Sequence, residues 1–276
     1  MDISVVVNHY KSSEMLKLSL GHLKIWQKEF EKDGKKAEII VTDSQTTFET
    51  KLLMQDKFQD IHFIEEKNNI GFGKSINNAL KKVTGKFIFI VNADLIIPKP
   101  EDLNKMIEYL EGNKDVGIVG PSLKNFDETH QSSAFRYYTP ATMVARRTPL
   151  GKTKWGKAIL NNFMLNDVKN LLHKPHEVDW IMGSALLTKK EHLDKLGFFD
   201  ERYFMYMEDV DLCRRFWESG LKVIYYPYAT MYHFHGAASR SRNIFKALFN
   251  KYTRIHVASV WKFFRKHGLK KVRHGI

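Results

Sequence analysis

Phe87-Ile88-Phe89-Ile90-Val91-Asn92-Ala93-Asp94 decides how this chain folds. Five consecutive apolar residues are too few to span a membrane and leave no polar face. They read as a strand buried on both sides, as in the middle of a parallel sheet. The run ends abruptly in polar residues, so Asp94 emerges beyond the carboxyl end of the strand. Open α/β sheets bind their ligands at that rim.

Similar apolar runs stand on either side, at residues 3–7, 39–41, 61–64, 117–119 and 223–226. Between them, residues 12–30 carry Met15, Leu18, Leu23, Trp26 and Phe30 at helical spacing, and 75–83, 102–110, 189–196 and 206–219 also read as helices. The alternation predicts right-handed βαβ units and an α/β fold with a mostly parallel central sheet flanked by helices. It weakens after Gly120, and residues 124–178 are expected to be long loops with some helix, part of a binding face. Order returns at 180–188. A long helix is expected from 243 to 266, its apolar and aromatic face including Phe245, Leu248, Phe249, Tyr252, Ile255 and Trp261.

Composition narrows the classes. The chain has 276 residues, 43% hydrophobic and 27% charged, which excludes a disordered or low-complexity protein. The single cysteine, Cys213, excludes an internal disulfide framework and points to a reducing compartment. The N-terminus reads as the start of a strand and not as a signal peptide. The net charge is +13, but residues 219–276 hold twelve of the 44 basic residues and none of the 31 acidic ones. A basic tail on a near-neutral body suggests an anionic partner, or else a solvated basic face.

Gly71-Phe72-Gly73-Lys74-Ser75 tempts two nucleotide-binding readings, and both fail. A P-loop needs glycine at 68, which is Asn68, and a dinucleotide fingerprint needs glycine at 76, which is Ile76. The carboxylates at strand ends say more. Asp43 follows the strand at 39–41 and Asp94 the strand at 87–91, so the two can share one nucleotide and its cation, or act as a turn former and a cap. Glu208, Asp209 and Asp211 crowd three carboxylates into four residues, either a general base with a raised pKa or an acidic first helical turn. His233 and His235 alternate on an extended segment, so one of them reaches any given site. There is no His-Glu-x-x-His or other zinc motif.

Together and in order, these segments resemble the family 2 glycosyltransferases of the GT-A fold, in particular the rhamnosyltransferase-like branch that builds bacterial surface polysaccharide. Ser4-Val5-Val6-Val7-Asn8-His9-Tyr10-Lys11 is similar to the family's first strand, and Ile40-Val41-Thr42-Asp43-Ser44 to its nucleotide-contacting turn. Asn69-Ile70-Gly71-Phe72-Gly73 with Asn77 resembles the segment that approaches the sugar nucleotide, and Asn92-Ala93-Asp94 the metal motif. Asp179-Trp180-Ile181-Met182-Gly183-Ser184 resembles the donor–acceptor turn, Glu208-Asp209 the base motif, and His233-Phe234-His235-Gly236 the late histidine motif. The chain departs from the family at His9, Lys11, Ser44 and Phe48, and Asn92 removes one carboxylate of the usual Asp-x-Asp.

The resemblance implies an inverting, metal-dependent transfer of a sugar from a nucleotide-sugar donor, dTDP-rhamnose first and a UDP-sugar second, to a hydroxyl of a glycan that this family commonly extends on a lipid carrier. It implies Asp209 as base beside Glu208, with His9, Tyr10, Asp43, Asn69, Gly71, Asn77, Asn92 and Asp94 at the nucleotide sugar. Trp180, Gly183 and Ser184 would form the donor–acceptor turn. Asp94, His233 and His235 would hold Mg²⁺ or Mn²⁺. The catalytic domain would be 1–240, with a nucleotide-sugar half at 1–120 and an acceptor half at 121–240. The basic helical extension at 241–276 would bind an anionic membrane surface or a second subunit, placing the protein in the cytoplasm at the inner face of the membrane. A nucleic-acid partner is not expected, because it gives no reason for the strand-end carboxylates. The altered Asn8-His9 and Ser44 positions also suit a catalytically impaired glycan-binding relative.

Overall fold

A computed structural model describes residues 1–234 and 250–269. Its first half runs β1 (Ile3–His9), α1 (Ser13–Glu31), β2 (Ala37–Asp43), α2 (Phe48–Lys57), β3 (His62–Glu65), α3 (Phe72–Leu80), β4 (Phe87–Asn92), β5 (Leu95–Ile96) and α4 (Pro100–Gly112). Strands β3-β2-β1-β4 lie side by side and parallel. Side chains alternate across this sheet. Val5 and Val7 pack with Leu16, Leu20, Trp26 and Leu103 from α1 and α4 on one face. Val6, Ile88 and Ile90 pack with Ile76 and Leu80 of α3 on the other. Burial on both faces is why these strands read as unbroken apolar runs.

The second half runs β6 (Val116–Lys124), β7 (His130–Gln131), β8 (Ala134–Phe135), α5 (Pro140–Arg147), a 3-10 turn (Pro149–Lys152), α6 (Lys154–Phe163), β9 (His176–Glu177), β10 (Trp180–Ile181), β11 (Ala185–Lys189), α7 (Lys190–Leu196), α8 (Glu208–Glu218), β12 (Lys222–His233) and α9 (Lys251–His267). The sheet continues β4-β11-β6-β12-β5. β11 runs antiparallel to both β4 and β6, which makes the sheet mixed. Because it runs backwards, its starting turn, Gly183-Ser184, lies at the rim where β4 ends: Ala185 pairs with Val91, and Asn92 N donates to Ser184 O. β5 pairs antiparallel with the end of β12, His233 opposite Leu95, and so carries the residue before β5, Asp94, to that histidine.

One expectation is filled in and one is corrected. Residues 124–178 contain two well-capped helices, α5 and α6, with Thr139 and Thr153 side chains accepting from Thr142 N and Gly156 N. The late helix does not run unbroken from 243. Asn250 is extended and caps α9 by accepting from Tyr252 N and Thr253 N, which starts that helix at Lys251. Residues 243–249 of the expected helix lie outside the described residues. The buried face of α9 is Thr253, His256, Ser259, Val260 and Phe263, while Trp261 is 60% exposed. No described helix is long and apolar enough to cross a membrane.

Candidate active site

The parallel register aligns strand ends. His9 stands opposite Asp43, and Asn8 opposite Asn92. Ser12 N donates to His9 Nε2 (3.0 Å), so the ring's Nδ1 faces Asp43 Oδ1 at 2.9 Å. Asp43 is fully buried, and its Oδ2 and the Ser44 Oγ have no hydrogen-bond partner. Buried acceptors left open in this way suit a donor brought by a ligand. Tyr10 is 40% exposed beside them and donates to Gln45 Oε1 (3.3 Å). Asn8 Oδ1, Asn92 Oδ1 and Ser184 Oγ are likewise buried and open along the same rim. The sequence gives Asn8 no binding role of its own; its register with Asn92 is a tertiary fact.

Asp94 Oδ1 is buried without a hydrogen bond and lies 3.4 Å from His233 Nε2. His233 Nδ1 donates to Gln131 Oε1 (2.7 Å), and Gln131 Nε2 donates to Asn125 Oδ1 (3.1 Å), which fixes the amide's orientation. With Nδ1 donating, Nε2 is the ring nitrogen turned toward the Asp94 carboxylate. That nitrogen and the carboxylate are both groups that ligate a divalent cation, with Gln131 holding the ring in place. The residues present fit such a cation. Among the described residues no cluster of three or more His, Cys, Asp or Glu side chains forms, so a diphosphate would have to complete the shell. His235 lies outside the described residues.

Across the rim, α8 opens with Glu208 and Asp209 after two left-handed residues, Tyr206 (φ 68°) and Met207 (φ 73°). Such backbone is costly for residues with a Cβ and clusters at functional sites. Asp209 Oδ2 accepts from Gly183 N (3.0 Å) and Oδ1 from Val210 N (2.8 Å). Burial pushes the Asp209 pKa up, while these backbone donors oppose the rise. Glu208 is pushed well up, by burial first and then by the Asp209 charge, and its Oε2 has no partner. The environments thus separate the pair into a carboxylic acid, Glu208, and a carboxylate, Asp209.

Four expected site residues serve the frame. Asn77 is buried with both ends of its amide engaged: Nδ2 donates to Phe199 O and Glu201 Oε1, and Oδ1 accepts from Phe199 N. It anchors the loop before α8 and has no group left for a nucleotide sugar. Trp180 is a core platform stacked on Phe135 at 4.5 Å, its Nε1 donating to Arg136 O. Asn69 Oδ1 accepts from Gly71 N and shapes the turn into α3. Gly71 is required there: its φ is +94°, and a Cβ would stand 2.4 Å from Phe204 O.

Asp211 leaves the acidic cluster. It is fully buried and bonded to Arg215 Nε (2.9 Å), Lys266 Nζ (2.6 Å) and His267 Nε2 (2.7 Å). Burial would raise its pKa, but the His267, Lys266 and Arg215 contacts outweigh that and lower it. Of the three carboxylates crowded in the sequence, Glu208 and Asp209 therefore form the pair with raised pKa and Asp211 stands apart. Two residues, about 200° around the helix, separate the roles: Asp209 faces the rim and Asp211 faces α9.

A rim of open acceptors, a cation-ready Asp–His pair and a facing carboxylate at the ends of a mixed sheet define a GT-A nucleotide-sugar fold. The sequence model of Glycosyl transferase family 2 matches residues 4–195, and the chain belongs to that family. It is 24% identical over 220 residues to the N-acetylglucosaminyl-diphospho-decaprenol L-rhamnosyltransferase of Mycobacterium tuberculosis, covering 74% of this chain and 68% of that one. It is 25% identical over 240 residues to the rhamnosyltransferase WbbL of Escherichia coli, covering 84% and 83%. Among solved structures, the mannosyltransferase PcManGT of Pyrobaculum calidifontis, in complex with GDP-Man and Mn²⁺, superposes with a TM-score of 0.61 at 19% identity, over 99% of this chain and 66% of that one. The chain thus spans about two thirds of that protein's length.

Proposed function

We propose that the chain transfers a sugar from a nucleotide-sugar donor to a hydroxyl of a glycan, with inversion in a single displacement. The observation that carries this reading is that one rim holds both Asp94–His233, after β4, and Asp209, bonded by Gly183 N in the turn beside the end of β4. Asp94 and His233 would hold Mg²⁺ or Mn²⁺, which when bound supplies Lewis-acid neutralisation of the departing diphosphate. Asp43, with Tyr10 exposed beside it, binds the nucleoside. Asp209 takes the proton of the acceptor hydroxyl as its oxygen bonds the anomeric carbon and the bond from that carbon to the diphosphate breaks. Glu208, protonated, leaves Asp209 as the one base beside the turn.

Rhamnose from a dTDP donor is the first choice, given the two rhamnosyltransferase relatives, and a lipid-linked glycan is the acceptor. The protein works at the inner face of the cytoplasmic membrane. The outer side of α9 supports this: Lys251, Arg254, Trp261 and Arg265 are exposed along one side, with the Arg265 guanidinium 5.4 Å from the Trp261 ring. Basic and aromatic side chains on a helix face suit anionic headgroups. A thermal-shift panel of nucleotide sugars with Mn²⁺ tests the core reading. A dTDP- or UDP-sugar should raise Tm, and Asp94→Ala should remove the Mn²⁺-dependent part. No shift with any nucleotide sugar would overturn the reading.

A further inference from the structure

The acid-free tail is not alone. Residues 129–166 also lack any Asp or Glu and carry Arg136, Arg146, Arg147, Lys152, Lys154 and Lys157. The fold brings the two stretches together: Arg147 Nη1 donates to Thr253 Oγ1 of α9 (3.4 Å), and the Tyr138 ring meets His256 of α9 at 5.8 Å. Arg146 Nη1 donates to Tyr138 OH (2.5 Å), and its guanidinium lies over the Tyr138 and Phe163 rings. Among the described residues neither arginine has a carboxylate partner. The stretches 235–249 and 270–276 contain no acidic side chain that could supply one.

Two adjacent cations without a counter-ion are costly where water is scarce. Burial, and then the Arg146 charge, disfavour the charge on Arg147. Beside them His256 is buried and kept neutral, its Nδ1 without a partner. An arginine pair of this kind, planar forks on an aromatic platform, matches a phosphoryl group better than a single carboxylate.

The pair also stands on the acceptor side of the base. Tyr138 stacks toward Trp180 (5.8 Å), three residues before Gly183, which bonds Asp209. His256 meets Tyr206 (5.1 Å), three residues before Asp209 itself. The donor's diphosphate belongs with Asp94 and His233, after β4 and at the end of β12. We propose that Arg146 and Arg147 bind the diphosphate of the acceptor. This rests on the glycosyl-transfer reading and adds a second phosphate site to it.

The test uses the full chain and reads binding before turnover. Two probes share one sugar: octyl-linked N-acetylglucosaminyl diphosphate, and the octyl glycoside of N-acetylglucosamine without the diphosphate. The protein should bind the first about tenfold or more tighter than the second, and Arg146→Gln and Arg147→Gln should each weaken the first about tenfold and leave the second unchanged. Arg147→Lys, which keeps the charge and loses the fork, should fall between. Arg146 is exposed, so its substitution does not threaten the fold. Equal affinity for both probes, or equal loss of both in the variants, overturns the proposal. So does loss of the nucleotide-sugar thermal shift in the variants, which would assign the arginines to the donor. Binding to phosphatidylglycerol vesicles is the remaining arm. If the variants lose vesicle binding and keep the probe preference, the arginines serve lipid headgroups and the proposal fails. If the probe preference holds and depends on both arginines but no donor supports transfer, the diphosphate site stands and the transfer reading falls.

Discussion

Glu208 keeps a buried oxygen with no partner, whereas both oxygens of Asp209 accept backbone N–H groups. That difference in solvation assigns the proton to Glu208 and the charge to Asp209. Replacing Asp209 by Asn preserves shape and removes the base. Transfer should drop by about two to four orders of magnitude, while the nucleotide-sugar thermal shift stays within error of the wild type. Wild-type-like turnover would remove Asp209 from this role. The base must be ionised to act, and its pKa is raised. The acid limb of the kcat/KM profile should therefore lie above the ordinary aspartate value of about 3.9. A limb at or below that value would contradict the assignment. His233 carries a similar lesson in its orientation. Gln131, 102 residues away in sequence, holds Nδ1 and so turns the ring's Nε2 toward Asp94.

At the scale of elements, the join between α8 and α9 is ionic at its centre. Asp211 is shared by Arg215 from its own helix and by Lys266 and His267 from α9, while Lys266 also reaches Asp200 at 2.8 Å. Asp211→Ala would leave Arg215 and Lys266 facing a buried gap, and breaking a buried pair this way costs about 3–5 kcal/mol. Urea unfolding should show that loss, and a change within 1 kcal/mol would mean the contact is no stronger than a surface pair. The pH dependence follows from the lowered pKa. The stabilisation is complete above the unfolded value of about 3.9 and is lost as pH falls through the lower folded value. Helix α8 and its Asp211–Arg215 spacing are legible in the sequence. The α9 partners are not, because 55 residues separate Asp211 from Lys266. For the same reason the buried face of α9 is misread from composition. Thr253, His256 and Ser259 turn inward because α8, the loop before it and α5 receive them: Ser259 Oγ donates to Met205 O, and Thr253 Oγ1 accepts from Arg147. His256 is accommodated only as a neutral ring, its pKa pushed down to about 3 by burial and then by Arg147 and Arg146.

At the scale of the whole molecule, the +13 charge is not one tail. Part of the terminal charge is used inside the fold, since Lys266 is paired with Asp200 and Asp211. Deleting α9 would therefore also strip Val260 and Phe263 from the core and leave Asp211 with Arg215 alone as its ion partner. Substitutions on its outer side are the cleaner probe of membrane binding. Trp261→Ser with Arg265→Gln should reduce co-sedimentation with phosphatidylglycerol vesicles about tenfold, at roughly 1 kcal/mol for the lost charge plus the aromatic contact, and should leave the unfolding midpoint unchanged. Equal co-sedimentation of the two proteins would defeat the membrane role of this face.

By itself the sequence determined the class. Apolar runs that end in Asp43 and Asn92-Ala93-Asp94 can only be strands buried on both faces with polar ends, and a sheet of such strands puts its ligands at the rim. Periodicity is local, so it was readable without neighbours. Tertiary structure decided which polar residues face that rim and which face the protein. It turned Asn77 and Asp211 inward to partners 122 and 55 residues away. It reversed β11, so that Gly183 meets Asp209. It also brought Arg146 and Arg147 beside α9, where no acid follows. The reason is physical: a side chain's role is set by what desolvates it and what remains to bond it, and both come from segments far along the chain.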